Sequence, residues 1–514
     1  MFGLTTGGSA KAKWLVIPFA LLAHAWMESI QYNFGKTLRW TPGNIIECTS
    51  LGHVVANVGI AKNEGKRVKV LGTGWSWSTT IAGDGDTYLK LMGSFADVSE
   101  AEFDLSEPSV VVGAGVRAFD LYLALQDTGY NILAKGNCLA RKESQTIGGL
   151  LATNVHHAGT ATFYDVVEWI DVVTSLDGEN PIRTFRDEPL FRLTIGGGGR
   201  TGVIVRVKFN LSPRDTYENV QDAVQPADSS FHSFFTLYED FTGGYERNEF
   251  IGFATRFPGV AQLVQQQFTG KRRMAEPSTN PAVMPSNYGD LNFLSKAILK
   301  LDGFLDFFLP PFLYEIYVGA LLAFVLLGEQ PDRDGKVGED LDLATSLTAT
   351  IYLKHQELEF FVPRDLIGEV GSYLDSRFSV GKYPYIFKHA LFVLRDVYGC
   401  NSLTAANGVM SDGTSPDVIA VNIDSYQRSQ WKKYNTELNE MMADLSAEFP
   451  RVMRTHPGKY NPPLSPDPES LFVKDLIADF DPEGVFARDA YDATYLTSQP
   501  RKTDSHSWWG SFWF

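Results

Sequence analysis

The chain has 514 residues and a formal net charge of −16, from 61 acidic and 45 basic side chains. Hydrophobic residues make up 44% and charged residues 21%, the balance of a globular protein long enough for two or more domains. The acidic balance excludes general nucleic-acid binding, which needs clustered Lys and Arg, and three distant cysteines (Cys48, Cys138, Cys400) exclude a disulfide framework or a cysteine-rich metal site.

At the N-terminus Lys11 and Lys13 precede the apolar run Trp14–Leu22, and Ala23-His24-Ala25 fits a small-x-small cleavage site. The run is shorter than the roughly 20 residues a membrane span needs. Residues 1–25 therefore read as a secretory signal, which predicts the ER or secretion as the location. Leu51, Val54, Val55, Val58 and Ala61 repeat with helical period behind Ser50, a capping residue, and Gly65 ends that helix. Arg67–Leu71 alternates as a strand and runs directly into Gly72-Thr73-Gly74-Trp75-Ser76. A strand feeding a glycine turn can converge backbone N–H groups on an anion. Val110–Val112 is a second short strand, and Arg117–Asp127 a helix with Ala118, Leu121, Tyr122 and Leu125 on one face and Gly129 as its stop.

Residues 144–159 follow, carrying Gln145, Thr146, Gly148, Gly149 and Thr153, and then His156 and His157 beside Gly159. Without Cβ atoms, Gly148 and Gly149 let a bulky ligand approach the backbone closely. Asp165–Thr174 reads as a strand with a turn at Asp177-Gly178. The glycine run 196–199 leads through Gly202 into the strand Val203-Ile204-Val205; its spacing, and the strand after it, exclude a Rossmann fingerprint. Residues 51–212 thus read as an α+β unit with three glycine-rich turns. After Pro213 the composition shifts. Residues 304–327 are strongly apolar but interrupted by Asp306, Pro310, Pro311 and Glu315, which argues against a simple spanning helix and leaves a membrane-surface patch or a core hairpin. Glu357–Arg364 (with Glu359), Phe392–Tyr398 (with Arg395 inside it) and Val418–Ile423 read as strands of a second α+β unit, and Asn435–Phe449 as a helix. Around Gly458, His456 and Lys459 sit in a tight turn, and Asp481-Pro-Glu-Gly484-Val-Phe486 forms another. The tail 508–514 is dense in aromatic residues.

The order of these motifs resembles the flavoproteins of the vanillyl-alcohol oxidase/p-cresol methylhydroxylase superfamily, and within it the aldonolactone oxidases. The resemblance runs from about Tyr32 to Phe486. It implies an α+β fold with a two-subdomain FAD-binding domain (32–212), a substrate cap (213–440), a segment returning to the FAD domain (441–490) and an aromatic tail (491–514). By the same resemblance Gly72, Thr73, Gly74, Trp75 and Ser76 would bind the FAD pyrophosphate. Gln145, Thr146, Gly148, Gly149, Thr153 and His156 would line the dinucleotide, with Gly202, Val203 and Ile204 touching its adenine end through backbone. Arg395, Lys459, His456 and Glu359 would be the catalytic groups. No metal is implied. The partners would be a sugar lactone or sugar alcohol and O2 or another electron acceptor. Trp75 stands where members with covalent FAD carry His, which predicts non-covalent FAD. Val393 stands where the family often has Glu, two residues before the strand Arg, and His157 replaces a glycine. A non-catalytic flavin-fold binding protein and a nicotinamide-dependent reductase of the same superfamily are the alternative readings.

Overall fold

A computed structural model describes the chain between residues 31 and 487, apart from most of residues 274–354, residues 461–472 and several shorter loops. Residues 1–25, nearly all of 304–327, the 491–514 tail, the Asp177-Gly178 turn, Cys138 and His157 lie outside the described residues.

Among the described residues, three sheets of three or more strands organise the fold. In the first, β1 (Asn44–Cys48), β2 (Val68–Val70) and β3 (Thr87–Leu91) are parallel, with β3 in the middle. The β1–β2 crossover is helix α1 (Leu51–Asn63), which starts where the Ser50 hydroxyl accepts a hydrogen bond from His53 N–H at 3.3 Å. Val54, Val58 and Ala61, one helical face, are buried as their spacing predicts.

The second sheet contains β4 (Glu102–Asp104), β5 (Ser109–Gly113), β6 (Val167–Val173), β7 (Ile182–Phe185) and β8 (Val203–Asn210), all antiparallel in the order β7-β6-β8-β5-β4. β6 starts two residues later than the sequence suggests. Asp165 instead accepts from Thr162 N–H and hydroxyl, capping the short helix Phe163–Val166. Helix α2 (Ala118–Leu125) ends in a short 3-10 turn and the left-handed Gly129, φ 77°. Helix α3 (Ile147–Thr153) is capped by Thr146 and stopped by a left-handed Asn154.

The third sheet is larger and antiparallel. Its seven strands are β9 (Tyr217–Asp222), β10 (Arg247–Phe257), β11 (Val260–Arg273), β12 (Val337–Gly338), β13 (Gln356–Pro363), β14 (His389–Val397) and β15 (Val418–Ser425), in the order β12-β9-β11-β10-β14-β15-β13. One face is apolar: Leu358, Phe360, Val362, Phe392, Leu394, Ile419, Val421 and Ile423 join helices Phe231–Thr242, Ile367–Ser379 and Trp431–Glu448 in one core. Strand alternation sends the intervening residues to the opposite face. There, Glu359 is opposite Asn422, which is opposite Val393, and Glu357 is opposite Asp424.

The two smaller sheets share a second core, which also takes in Cys400, Ala405, Val485 and Phe486. The C-terminal turn is pinned there: Val68 N–H donates to Val485 O (2.8 Å), and the Asp481 carboxylate accepts from the Val485 and Phe486 N–H groups. Chain segments from both ends thus meet in one hydrophobic unit beside the large sheet.

Candidate active site

The polar face of the large sheet is one wall of a cavity of about 560 Å³; the glycine turns are the other. That volume lies within the range of small-molecule and cofactor sites. Gly72, Thr73, Gly74, Trp75, Ser76, Gln145, Thr146, Gly148, Gly149, Thr153, His156, Gly202, Ile204, Glu359, Arg395, His456 and Lys459 all line it. Val203 does not. It is fully buried in the hydrophobic core, because strand β8 turns alternate residues to opposite faces and gives the cavity only its neighbours.

The glycine turns are held by a few defined bonds. Gly74 takes φ 79°, a left-handed conformation that favours glycine. Thr73 Oγ1 donates to Ser144 O at 3.0 Å, and Ser144 Oγ accepts from Phe119 N–H at 2.9 Å, so the first turn is tied to the approach to α3. Gly148 N–H donates to Ala114 O at 2.7 Å. A Cβ on Gly72 would come within 2.6 Å of Thr146 Oγ1, and one on Gly148 within 3.2 Å of Ala114. Gln145 Oε1 is buried without a hydrogen-bond partner among the described residues. Bare backbone along this wall of the cavity fits the close approach of a large polar ligand such as a dinucleotide.

At the other end the charged groups are paired. Glu359, 1% exposed, accepts from His156 Nε2 at 2.7 Å, and Arg395 lies 3.7 Å from its second oxygen. Burial opposes ionisation of Glu359, but His156, then His456 and Arg395, outweigh it and hold its pKa down at about 2. His456 is pushed down to about 4 by burial, with Glu359 pulling the other way and His156 and Arg395 adding to the depression. Gly458 N–H donates to His456 Nδ1 at 3.0 Å, so the neutral ring carries its proton on Nε2. Lys459 pairs with Glu357 and stands 4.8 Å over the Trp77 ring.

The backbone joins the two walls. His456 N–H donates to Glu359 O, Tyr460 N–H to Glu357 O, and Trp77 N–H to Gly458 O. Ser76 Oγ also donates to Gly458 O, and Trp77 Nε1 to His355 O at 2.9 Å. The His-Pro-Gly-Lys turn is therefore stitched both to strand β13 and to the first glycine turn.

Several participants escape sequence reading. Glu357 was legible in principle, two residues before Glu359 on an alternating strand. Trp77 and His355 carry no motif. Asn422 donates to Asp424 at 2.7 Å, and Asp424 is buried and raised to about 6 by desolvation, with His355 and Arg395 as opposing influences. Only strand register brings these two under the site. Gly198 and Gly199, from the run that is no Rossmann motif, also line the cavity.

Residues 42–180 match a family model described as an FAD binding domain. Among solved structures the chain is similar to a solvent-stable cholesterol oxidase (TM-score 0.63, 16% identity, 91% of this chain and 97% of that one). It is likewise similar to cholesterol oxidase from Brevibacterium sterolicum (TM-score 0.62, 14% identity, 91% and 96%). At these identities the likeness shows the fold alone, while the matched segment is similar to an FAD binding domain. In sequence the chain is also similar to two lactone oxidases. It is 26% identical over 206 residues to D-arabinono-1,4-lactone oxidase of Eremothecium gossypii, 38% of this chain and 35% of that protein. It is 32% identical over 133 residues to L-gulonolactone oxidase of Mus musculus, 26% of this chain and 28% of that protein. The matches thus span about a third of the length of these curated relatives.

Proposed function

We propose that this chain is an FAD-dependent oxidoreductase that oxidises a CH–OH group of an aldonolactone or a related sugar alcohol, with O2 or another acceptor completing the cycle. The observation that carries the reading is one cavity whose glycine-lined wall suits a dinucleotide and whose far wall presents paired ions. The first turn and the 145–153 segment would hold FAD, with Gly202 and Ile204 beside its adenine end. Bound FAD supplies a two-electron acceptor. The chain's own residues bind and orient the sugar. Arg395 and the Nε2–H of His456 donate to substrate oxygens, and Glu357 and Lys459 present both hydrogen-bonding senses to neighbouring hydroxyls. Trp75 in the first turn supports a non-covalent cofactor. Residues 32–212 would form the cofactor domain and 213–440 the cap, with an N-terminal secretory segment before them.

The test is anaerobic mixing of the FAD-loaded protein with a panel of aldonolactones and polyols. Loss of the flavin's visible absorbance with one of them is the expected result; no bleaching with any of them removes the reading. Val393, apolar and buried where the resembling enzymes often carry Glu, favours one rival, a flavin-fold binding protein without turnover. Rapid bleaching excludes that rival.

A further inference from the structure

We propose that Arg117 and Lys90 together supply the counter-charge for the diphosphate of the bound dinucleotide. The inference rests on the FAD reading and gives a role to two cations that lie outside the glycine motifs.

The cavity's charges are unevenly spread. Its lining holds the cations Lys90, Arg117, Arg395 and Lys459 and the carboxylates Asp120, Glu357 and Glu359. At the large sheet these groups balance: Arg395 lies 3.7 Å from Glu359, and Lys459 pairs with Glu357. Of the Lys, Arg, Asp and Glu side chains, the surplus cation is therefore at the glycine turns. Arg117 is exposed, and its guanidinium has neither a hydrogen bond nor an ion pair among the described residues. Asp120, three residues on in α2, is not paired with it. Lys90, on β3, meets Glu47 of β1 at 3.4 Å, with the two side chains 41% and 61% exposed. Water screens such a pair and leaves it weak. Asp120 offsets one cation and leaves one net positive charge for a ligand.

Both cations adjoin the first glycine turn. Ala118 N–H donates to Gln145 O and Ile147 N–H to Val116 O, each at 2.9 Å, which sets Arg117 directly against Thr146. Thr146 is the residue whose Oγ1 a Cβ on Gly72 would meet at 2.6 Å. Leu71 N–H donates to Leu89 O at 2.9 Å, so Lys90 neighbours the residue that leads into the turn.

The turn has donors to spare. The backbone N–H groups of Gly72, Thr73, Gly74 and Ser76 donate to no described residue. The start of α2 is already occupied: Ala118 N–H is spent on Gln145 O, and Phe119 N–H on Ser144 Oγ. An anion at this end of the cavity thus meets backbone donors of the turn and side-chain cations, and not a helix end. The diphosphate is itself anionic, and the chain carries a net charge of −16, so the ligand enters against the field of the whole protein. Backbone dipoles bring no net charge to oppose that field. Arg117 and Lys90 do, and a guanidinium can hold two phosphate oxygens at once.

The experiment titrates the flavin-stripped full chain with FAD, followed by flavin fluorescence, and with ADP as competitor. The variants are Arg117→Gln, Arg117→Lys and Lys90→Gln. Arg117→Gln should weaken FAD and ADP alike, by about 10- to 100-fold, the worth of a hydrogen bond to a charged group. Lys90→Gln, whose cation is shared with Glu47, should weaken both by a smaller factor. Arg117→Lys should bind more tightly than Arg117→Gln. Arg117 is exposed and its side chain is unbonded, so the urea midpoint of the apoprotein should not move in either Arg117 variant.

An Arg117→Gln protein with wild-type affinity for FAD overturns the proposal. So does a loss for FAD that ADP does not share, since that places the effect at the flavin half. A loss that Arg117→Lys does not lessen, or one that comes with a lower urea midpoint, gives Arg117 a structural part instead and overturns it too. ADP that fails to displace FAD from the wild type has the same consequence. A wild type that takes up no FAD removes the FAD reading itself, whereas the other outcomes leave that reading standing.

Discussion

Trp75 sits in the first glycine turn, where an indole offers no nucleophile for a covalent flavin link. Acid precipitation of the holoprotein should therefore leave all the flavin in the supernatant; flavin in the pellet would show a covalent bond. Gly72 is a position where a single methyl group should matter to the cofactor. Gly72→Ala would press on Thr146 Oγ1, the hydroxyl that caps α3, and should weaken FAD binding at least tenfold, about 1.4 kcal/mol, in a flavin titration. Glu359 matters to the fold as well as the chemistry. Glu359→Ala leaves Arg395 and two histidines buried without their anion, and should cost about 3–5 kcal/mol in urea unfolding of the apoprotein. These residues were legible because each lies in a short motif. The ion pairs that occupy them were not: the sequence places Arg395 and Glu359 36 residues apart, and nothing local pairs them.

Strand β13 shows what an element can disclose. Its alternation separates Leu358, Phe360 and Val362, which face the core, from Glu357 and Glu359, which face the cavity. The same rule turns the Val203 side chain into the core between Gly202 and Ile204, which line the cavity. The turn at residues 455–459 carries a pH prediction. His456 has a folded pKa near 4, below the unfolded value of about 6.5, so its contribution to stability is fully present above about pH 6.5 and is lost as pH falls through 4. Asp424, on strand β15, works in the opposite sense. Its folded value near 6 exceeds the unfolded value of about 3.9, so its contribution is present below about pH 4 and is lost as pH rises through 6. The two slopes oppose each other between pH 4 and 6. Asp424→Asn should therefore steepen the loss of stability on acidification across that window, and His456→Asn should flatten it. Urea midpoints measured at several pH values decide both.

On the scale of the molecule, the cavity is closed by the glycine turns on one side and the large sheet on the other. A ligand that binds there couples the two hydrophobic cores. FAD at about 100 times its dissociation constant should stabilise the protein by about 2.7 kcal/mol, and the holoprotein should unfold in one transition detected equally by flavin and tryptophan fluorescence. Two separated transitions at saturating FAD would mean that the cofactor braces only one core. The sequence by itself determined the α+β class, the glycine turns, most helix and strand positions and the residues that ring the cavity, because hydrophobic period and turn chemistry act over a few neighbouring residues. The tertiary structure alone decided that Glu359 is clamped by His156 and Arg395, that Lys459 is held by Glu357, that Asn422 and Asp424 lie beneath the site, and that Val485 and Phe486 pack against the first sheet. Those relations depend on strand register and on contacts between distant segments, which local composition does not encode.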